Sequence, residues 1–413
     1  MDANYLFQKI DYLEPDNSEE SIGDLTEEND KKNSNLFFQR GINNFKKGLI
    51  NMQKGLDKES IEIFKKSISE FTVAIELQAN INLQLMKLYL FRGMVHEKIA
   101  DLVEKGELSS THLMNAFSDY VAGVDLVEDT PLDAKSTKIY LEILLVRGEI
   151  IFKLANYLDE DFEDFMDFDK FYESNFVFFN EAMEIIKRTV ARFYPISRKT
   201  LELSEKYIRA LKKPSELREN YIRALIGKGY LNALCYEMQE EGKGKIFYFN
   251  SVENYTKALS FDKSQFKAHY GRARVNHHAH DYYAAIEDIT NGIKLSSSND
   301  KGEAYFLRGL IKNKINDFSG SNRDLKSSLK IVSDHPKSNK SLFDYVEANQ
   351  CIVENMKKLK NFKGAIGILT TLIKKFPEYN PFYKQRSELR KLIKDNKGSK
   401  EDLKKFHELE DKE

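Results

Sequence analysis

The densest run of side chains able to do chemistry is His277-His278-Ala279-His280-Asp281. Imidazole and carboxylate are common zinc ligands, and His277 and Asp281, four apart, could share one face of a helix. The spacing matches no established ligand pattern, and no distant third ligand stands out, so a structural or surface role is the better expectation. A metal-dependent enzyme centred on His277 and His280 is the weakest of three readings. The sequence contains no phosphate loop, no G-x-S-x-G, no HExxH and no CxxC. His96-Glu97 lacks the second histidine that would complete a metalloprotease helix. No catalytic residue is assigned, neither metal nor cofactor is expected, and the protein is not expected to be an enzyme.

Charge offers a different chemistry. The formal net charge is −1, but the charges are segregated. Residues 157–173 carry eight acids and one lysine, with Phe162, Phe165, Phe168 and Phe171 at three-residue intervals. This acidic-aromatic insertion could dock on a basic surface through Phe162, Phe165 and Phe168, or its rings could pack on their own hairpin. Residues 357–394 carry eleven basic groups against two acids. Without aromatic-basic platforms that stretch reads as a solvated helix face, and nucleic acid is not an expected partner. Residues 1–33 are acidic and Asn/Ser-rich, which suggests a flexible tail.

The elements that carry these groups are helices. Apolar residues are 41% of the chain, aromatics 12%, and there are only seven prolines, a composition suited to long helices with a real core. One pattern recurs: apolar or aromatic residues, a basic residue, then a small one. The basic members are Arg40, Arg92, Arg147, Lys228, Arg272 and Arg308; the small ones are Gly41, Gly93, Gly148, Gly229, Ala273 and Gly309. Each basic stem is expected to lie along its hairpin while its head meets a carboxylate. Amphipathic stretches follow, clearest at 281–295, 317–331 and 361–377. Ala285, Ile289, Gly292 and Ile293 form one apolar face; Ala365, Leu369, Leu372 and Ile373 form another.

This pairing resembles the tetratricopeptide repeat, a 34-residue helix–turn–helix unit. Ala273 and Gly309 match its small position 8, and Ala285, Ser321 and Ala365 match position 20. Gly292 and Ser328 match position 27, and Pro377 matches position 32. Asp281-Tyr282, Asp317-Phe318 and Asn361-Phe362 match the dipeptide that opens the second helix. Residues 264–377 thus read as three well-matched units. Residues 34–260 depart from the family: Ser67, Ala116, Ala182 and Ser251 fall 14, 11, 22 and 10 residues later than position 20 allows. Longer N-terminal hairpins are expected there, with an additional helix over 198–212. Residues 378–413 read as basic C-terminal capping helices.

The resemblance implies an all-α, right-handed superhelical array of about seven antiparallel hairpins with a concave binding surface. It places Lys267, Tyr270, Arg274, His277, His278, Glu303, Phe306, Leu310, Asn313 and Lys314 on that surface. The family's grip on heat-shock-protein tails is not implied. Lys267 matches one clamp position, but the companion arginine position holds Gly271. The expected function is a protein–protein interaction scaffold or adaptor that binds a peptide segment or partner protein. The alternative is a structural subunit of a larger assembly, with self-association possible. No signal peptide or membrane span is visible, and a cytoplasmic location is expected.

Overall fold

The computed structural model describes residues 6–7, 10, 33–78, 83–103, 107–127, 134–155, 179–185, 216–238, 244–296, 298–334 and 340–410. Among these there is helix and no strand. The chain divides into two compact units, Met1–Leu231 and Asn232–Glu413. The insertion at 157–173, with Phe162, Phe165 and Phe168, and the helix expected at 198–212 lie outside the described residues.

In the N-terminal unit, α1 (Ser34–Gln53) packs on α2 (Asp57–Leu77), and α3 (Leu83–Leu102) on α4 (Glu107–Asp125), with α5 (Ala134–Ala155) following. Asn33 starts α1 by accepting from the amides of Asn35 and Leu36. The small residues sit where the sequence puts them. A Cβ on Gly41 would lie 2.5 Å from the Phe71 ring, and one on Gly93 2.5 Å from the Tyr120 ring. The Ser67 hydroxyl donates to the Gly41 carbonyl at 2.7 Å, and Ala116, Ala182 and Ser251 are each fully buried. The extra residues of the first hairpin are taken up in helix length: α1 and α2 have 20 and 21 residues, against 13 and 14 in a later hairpin.

In the helix α6 (Glu216–Met238), Gly227, two residues before the expected Gly229, makes a close approach to the Phe179 ring. The segment expected to be a flexible tail is anchored near its start: Leu6 and Ile10 are helical and buried. An apolar i, i+4 pair there outweighs the acidic composition of its surroundings.

In the C-terminal unit, α7 (Lys245–Phe261) precedes four hairpins. These are α8 (Phe266–His278) with α9 (Tyr282–Leu295), α10 (Ser298–Lys314) with α11 (Phe318–Asp334), α12 (Lys340–Lys358) with α13 (Phe362–Lys375), and α14 (Asn380–Leu392) with α15 (Asn396–Glu410). All four turns are built alike. His280, Asn316, Lys360 and Lys394 adopt left-handed φ between 56° and 64°. The next residue, Asp281, Asp317, Asn361 or Asp395, caps the second helix by accepting from the amide three residues on. The core runs through the hairpins from Ala273, Ala285 and Ile289 to Leu369, Leu372 and Phe382.

Candidate binding face of the C-terminal unit

The recurring basic residue is the frame on which the face is built. Arg272 forks onto Asp288 at 2.7 and 2.8 Å, Arg308 onto Asp324 at 2.7 and 2.8 Å, and Arg386 onto Asp402 at 2.6 and 3.0 Å. Each aspartate is 16 positions after its arginine, on the second helix of the same hairpin. The third arm of each guanidinium donates to a threonine of the preceding second helix: Thr256, Thr290 and Thr370. Arg92 repeats the arrangement in the N-terminal unit with Asp119 and Thr72. The expected pairing with carboxylates therefore holds for these arginines, and for Arg40, which meets Glu70 at 2.8 Å. Lys228 donates to the amide oxygen of Asn180.

A bidentate fork fixes an arginine in one orientation, so this ladder sets which way the first helix of each hairpin faces. It also reveals a fourth C-terminal hairpin with family geometry. In α14 and α15, Ser387 and Ser399 occupy the two small positions and hydrogen-bond to each other at 2.8 Å. The expected capping helices thus form a full repeat unit, whose terminal helix exposes Lys397, Lys400, Glu401, Lys404 and Glu408.

The expected groove residues divide by burial. Lys267, His278, Glu303 and Lys314 are exposed, while Tyr270, Arg274, His277, Phe306, Leu310 and Asn313 are half-buried. Tyr270 leans on Phe266 and the core of α8–α10, whereas Phe306 and Leu310 pack against the core that runs from Leu325 of α11 into α12–α15. Arg274 is ion-paired with Glu237. Asn313 donates to Asn355, a fully buried amide that in turn donates to Ser321 and Asn322. Arg274 and Asn313 thus hold helices together within the unit.

The histidines do not converge. His280 meets the Tyr282 hydroxyl through Nδ1 at 2.8 Å, His277 lies beside the same ring, and His278 lies edge-on to Tyr236. Burial, then Lys314 and the two neighbouring histidines, lower the His277 pKa to about 4, so it is neutral at pH 7. Among the described residues, no group of three or more His, Cys, Asp or Glu side chains is arranged to hold a metal ion. His96 likewise has no carboxylate in a metal-like arrangement; its Nδ1 faces Nδ1 of His112 at 2.8 Å.

Sequence reasoning overlooked two features of this face. Tyr236, Tyr248 and Phe249 form a chain of ring contacts beside His278, with Ile246 and Phe249 about 60% exposed. The basic stretch 357–394 also resolves into distinct parts. Arg386 and Arg390 share Asp402; exposed Lys358, Lys360, Lys391 and Lys394 lie at the ends and turns of α12 and α14, and exposed Lys363, Lys374 and Lys375 lie on α13. The spacing of Asp288, Asp324 and Asp402, three residues after each small position, was the signal available for the ladder.

No family model and no curated protein matches the chain. Among solved structures it is similar to MamA, with 15% identity over 42% of this chain and 96% of that one, and a TM-score of 0.35. It is similar to YrrB, described as a TPR protein with an unusual peptide-binding site, with 14% identity over 45% and 86% of the two chains and a TM-score of 0.35. The assembly chaperone of RpL4 covers 79% of this chain and 99% of its own at 10% identity and a TM-score of 0.43. The chain's own hairpins carry the assignment. Within each unit paired helices meet at small residues and stack in sequence, and in the C-terminal unit they turn through a left-handed residue and an Asx cap, so each unit has an all-α fold of tetratricopeptide-like hairpins.

Proposed function

We propose that the protein is an interaction scaffold whose first-helix face in the C-terminal unit binds an extended segment of another protein. One observation carries this reading. The contacting helices α8 and α10 carry exposed Lys267, His278, Glu303 and Lys314 together with half-buried Tyr270, Phe306 and Leu310. Arg274 and Asn313 are engaged between helices, whereas Lys267, His278, Glu303 and Lys314 are exposed. Half-buried rings supply contact area at small entropic cost, and flanking charges set register and encounter rate.

The test is partner capture from native lysate by wild type and by the triple variant Lys267→Ala, His278→Ala, Lys314→Ala. A control variant, Glu287→Ala with Lys326→Ala, alters the second helices instead, where both residues are exposed. The expected result is an unchanged melting temperature in both variants, with a captured protein lost only in the triple variant. Equal capture by all three proteins would sink the proposal.

A further inference from the structure

We infer that the turn edge of the C-terminal unit is a ladder of cations that reads a carboxylate-rich extended segment of a partner protein, one carboxylate about every three residues. The inference rests on the reading that the first-helix side is the binding side, and it names the chemistry of the partner.

The first helices of the last three hairpins end in basic groups: Lys312 and Lys314 on α10, Lys357 and Lys358 on α12, Arg390 and Lys391 on α14. One member of each pair is internally engaged: Lys312 by Asp324, Lys357 by Glu354, Arg390 by Asp402. The other members, Lys314, Lys358 and Lys391, are exposed and have no ion partner among the described residues. The turns of the last two hairpins add Lys360 and Lys394, likewise exposed and unpartnered among the described residues. The acids at these turns are occupied, since Asp317 and Asp395 cap the following helices.

Two further facts show that this is more than lysines favouring helix C-termini. Lys360 and Lys394 sit at left-handed φ of 56° and 64°, where glycine is the unstrained choice. A strained residue kept at a surface turn points to a use for its side chain. Second, the ladder has a period. The first helices α8, α10 and α12 contact one another in turn, which sets a spacing of roughly 10 Å, and an extended chain advances about 3.3 Å per residue. One rung therefore meets every third residue of a bound strand.

The same helices argue for a peptide over a nucleic acid. Exposed Glu303 and Glu388 lie on the first helices and oppose the continuous charge of a phosphate backbone. A peptide can place neutral residues there and carboxylates at the rungs.

The experiment uses the full-length chain and three labelled probes in fluorescence anisotropy. One is a flexible peptide with aspartate at every third position. The second has the same composition with its aspartates contiguous. The third is an oligothymidylate of equal charge. The spaced peptide should bind roughly fivefold more tightly than the blocked one and weaken as salt rises. Lys358→Gln with Lys391→Gln should weaken binding by roughly fivefold. Lys360→Gly with Lys394→Gly should weaken it while holding or raising the melting temperature, which separates recognition from folding. No binding, equal affinity for the two peptides, tighter binding of the oligonucleotide, or unchanged affinity in either lysine variant overturns the inference. If lysate capture still depends on Lys267, His278 and Lys314, the scaffold reading survives that failure.

Discussion

Asp324 accepts from Arg308 through both oxygens and also meets Lys312 at 2.7 Å, while its own side chain is only 7% exposed. Two cations on one carboxylate make the two sides of the pair unequal. Asp324→Ala strands both cations and should cost about 2 kcal/mol, less than a fully buried pair because the cations keep some solvent. Arg308→Met leaves Lys312 in place and should cost about half as much; denaturant titration of both variants checks the order. His96 gives a different residue-scale expectation. Burial, then His112 and Arg92, lower its pKa to about 3, and burial followed by Lys65 lowers that of His112. The folded state therefore resists protonation that the unfolded chain accepts near pH 6.5. The stabilisation is complete above that pH and is lost as pH falls toward 3, about 2 kcal/mol across the first two units. His96→Gln should flatten that part of the stability profile, and an unchanged slope between pH 6.5 and 4.5 would disprove the assignment.

At the scale of the element, the decisive residues are those with no side chain to spare. Gly309 is confronted by Leu325, whose Cγ would stand 2.7 Å from an added Cβ, with the Leu325 amide nitrogen at 3.3 Å. Gly309→Leu should cost about 1–3 kcal/mol by overpacking. Gly367 is the opposite case: it lies within α13 and an added Cβ would meet nothing within 4 Å. Gly367→Ala should stabilise by about 0.5–1 kcal/mol through the entropy of the unfolded chain. Thermal melts of the two variants should therefore move in opposite directions. These positions also show what the sequence could tell. Gly309 announced itself because a small residue recurred beside a basic one. The α14–α15 hairpin did not, because Ser387 and Ser399 fill its small positions and hide among polar neighbours. The burial of Leu6 and Ile10 was masked by acidic composition, and the threonine arm of the ladder is a long-range contact with no local periodicity. Of the candidate face, the exposed charges were legible from repeat register; the commitment of Arg274 and Asn313 to internal bonds was not.

For the whole molecule, helix without strand among the described residues predicts a circular dichroism spectrum dominated by helix; a substantial sheet signal would overturn the fold. Each hairpin leans on its neighbours, so stability is a sum of units and the joints between them. Those joints are not equivalent in the C-terminal unit. Three are closed by a threonine–arginine–aspartate bridge, at Arg272, Arg308 and Arg386. The joint between α11 and the α12–α13 hairpin has buried Ile352 where the arginine would stand, and is closed by Asn355 on Ser321 and Asn322.

That difference gives the unit a mechanical grain. Bridges made of charges that retain some solvent exposure soften as electrolyte is added, whereas a buried amide seam does not. Stretched between its ends in dilute buffer, the unit should yield first at the seam beside Ile352. In strong salt the charged bridges lose stiffness and the rupture point should spread to the other joints. Force–extension traces at low and high salt should therefore change in the order of their steps, with the step assigned to α12–α15 coming first only in the dilute condition. The joint beside Ile352 would then be the place where the unit bends most readily.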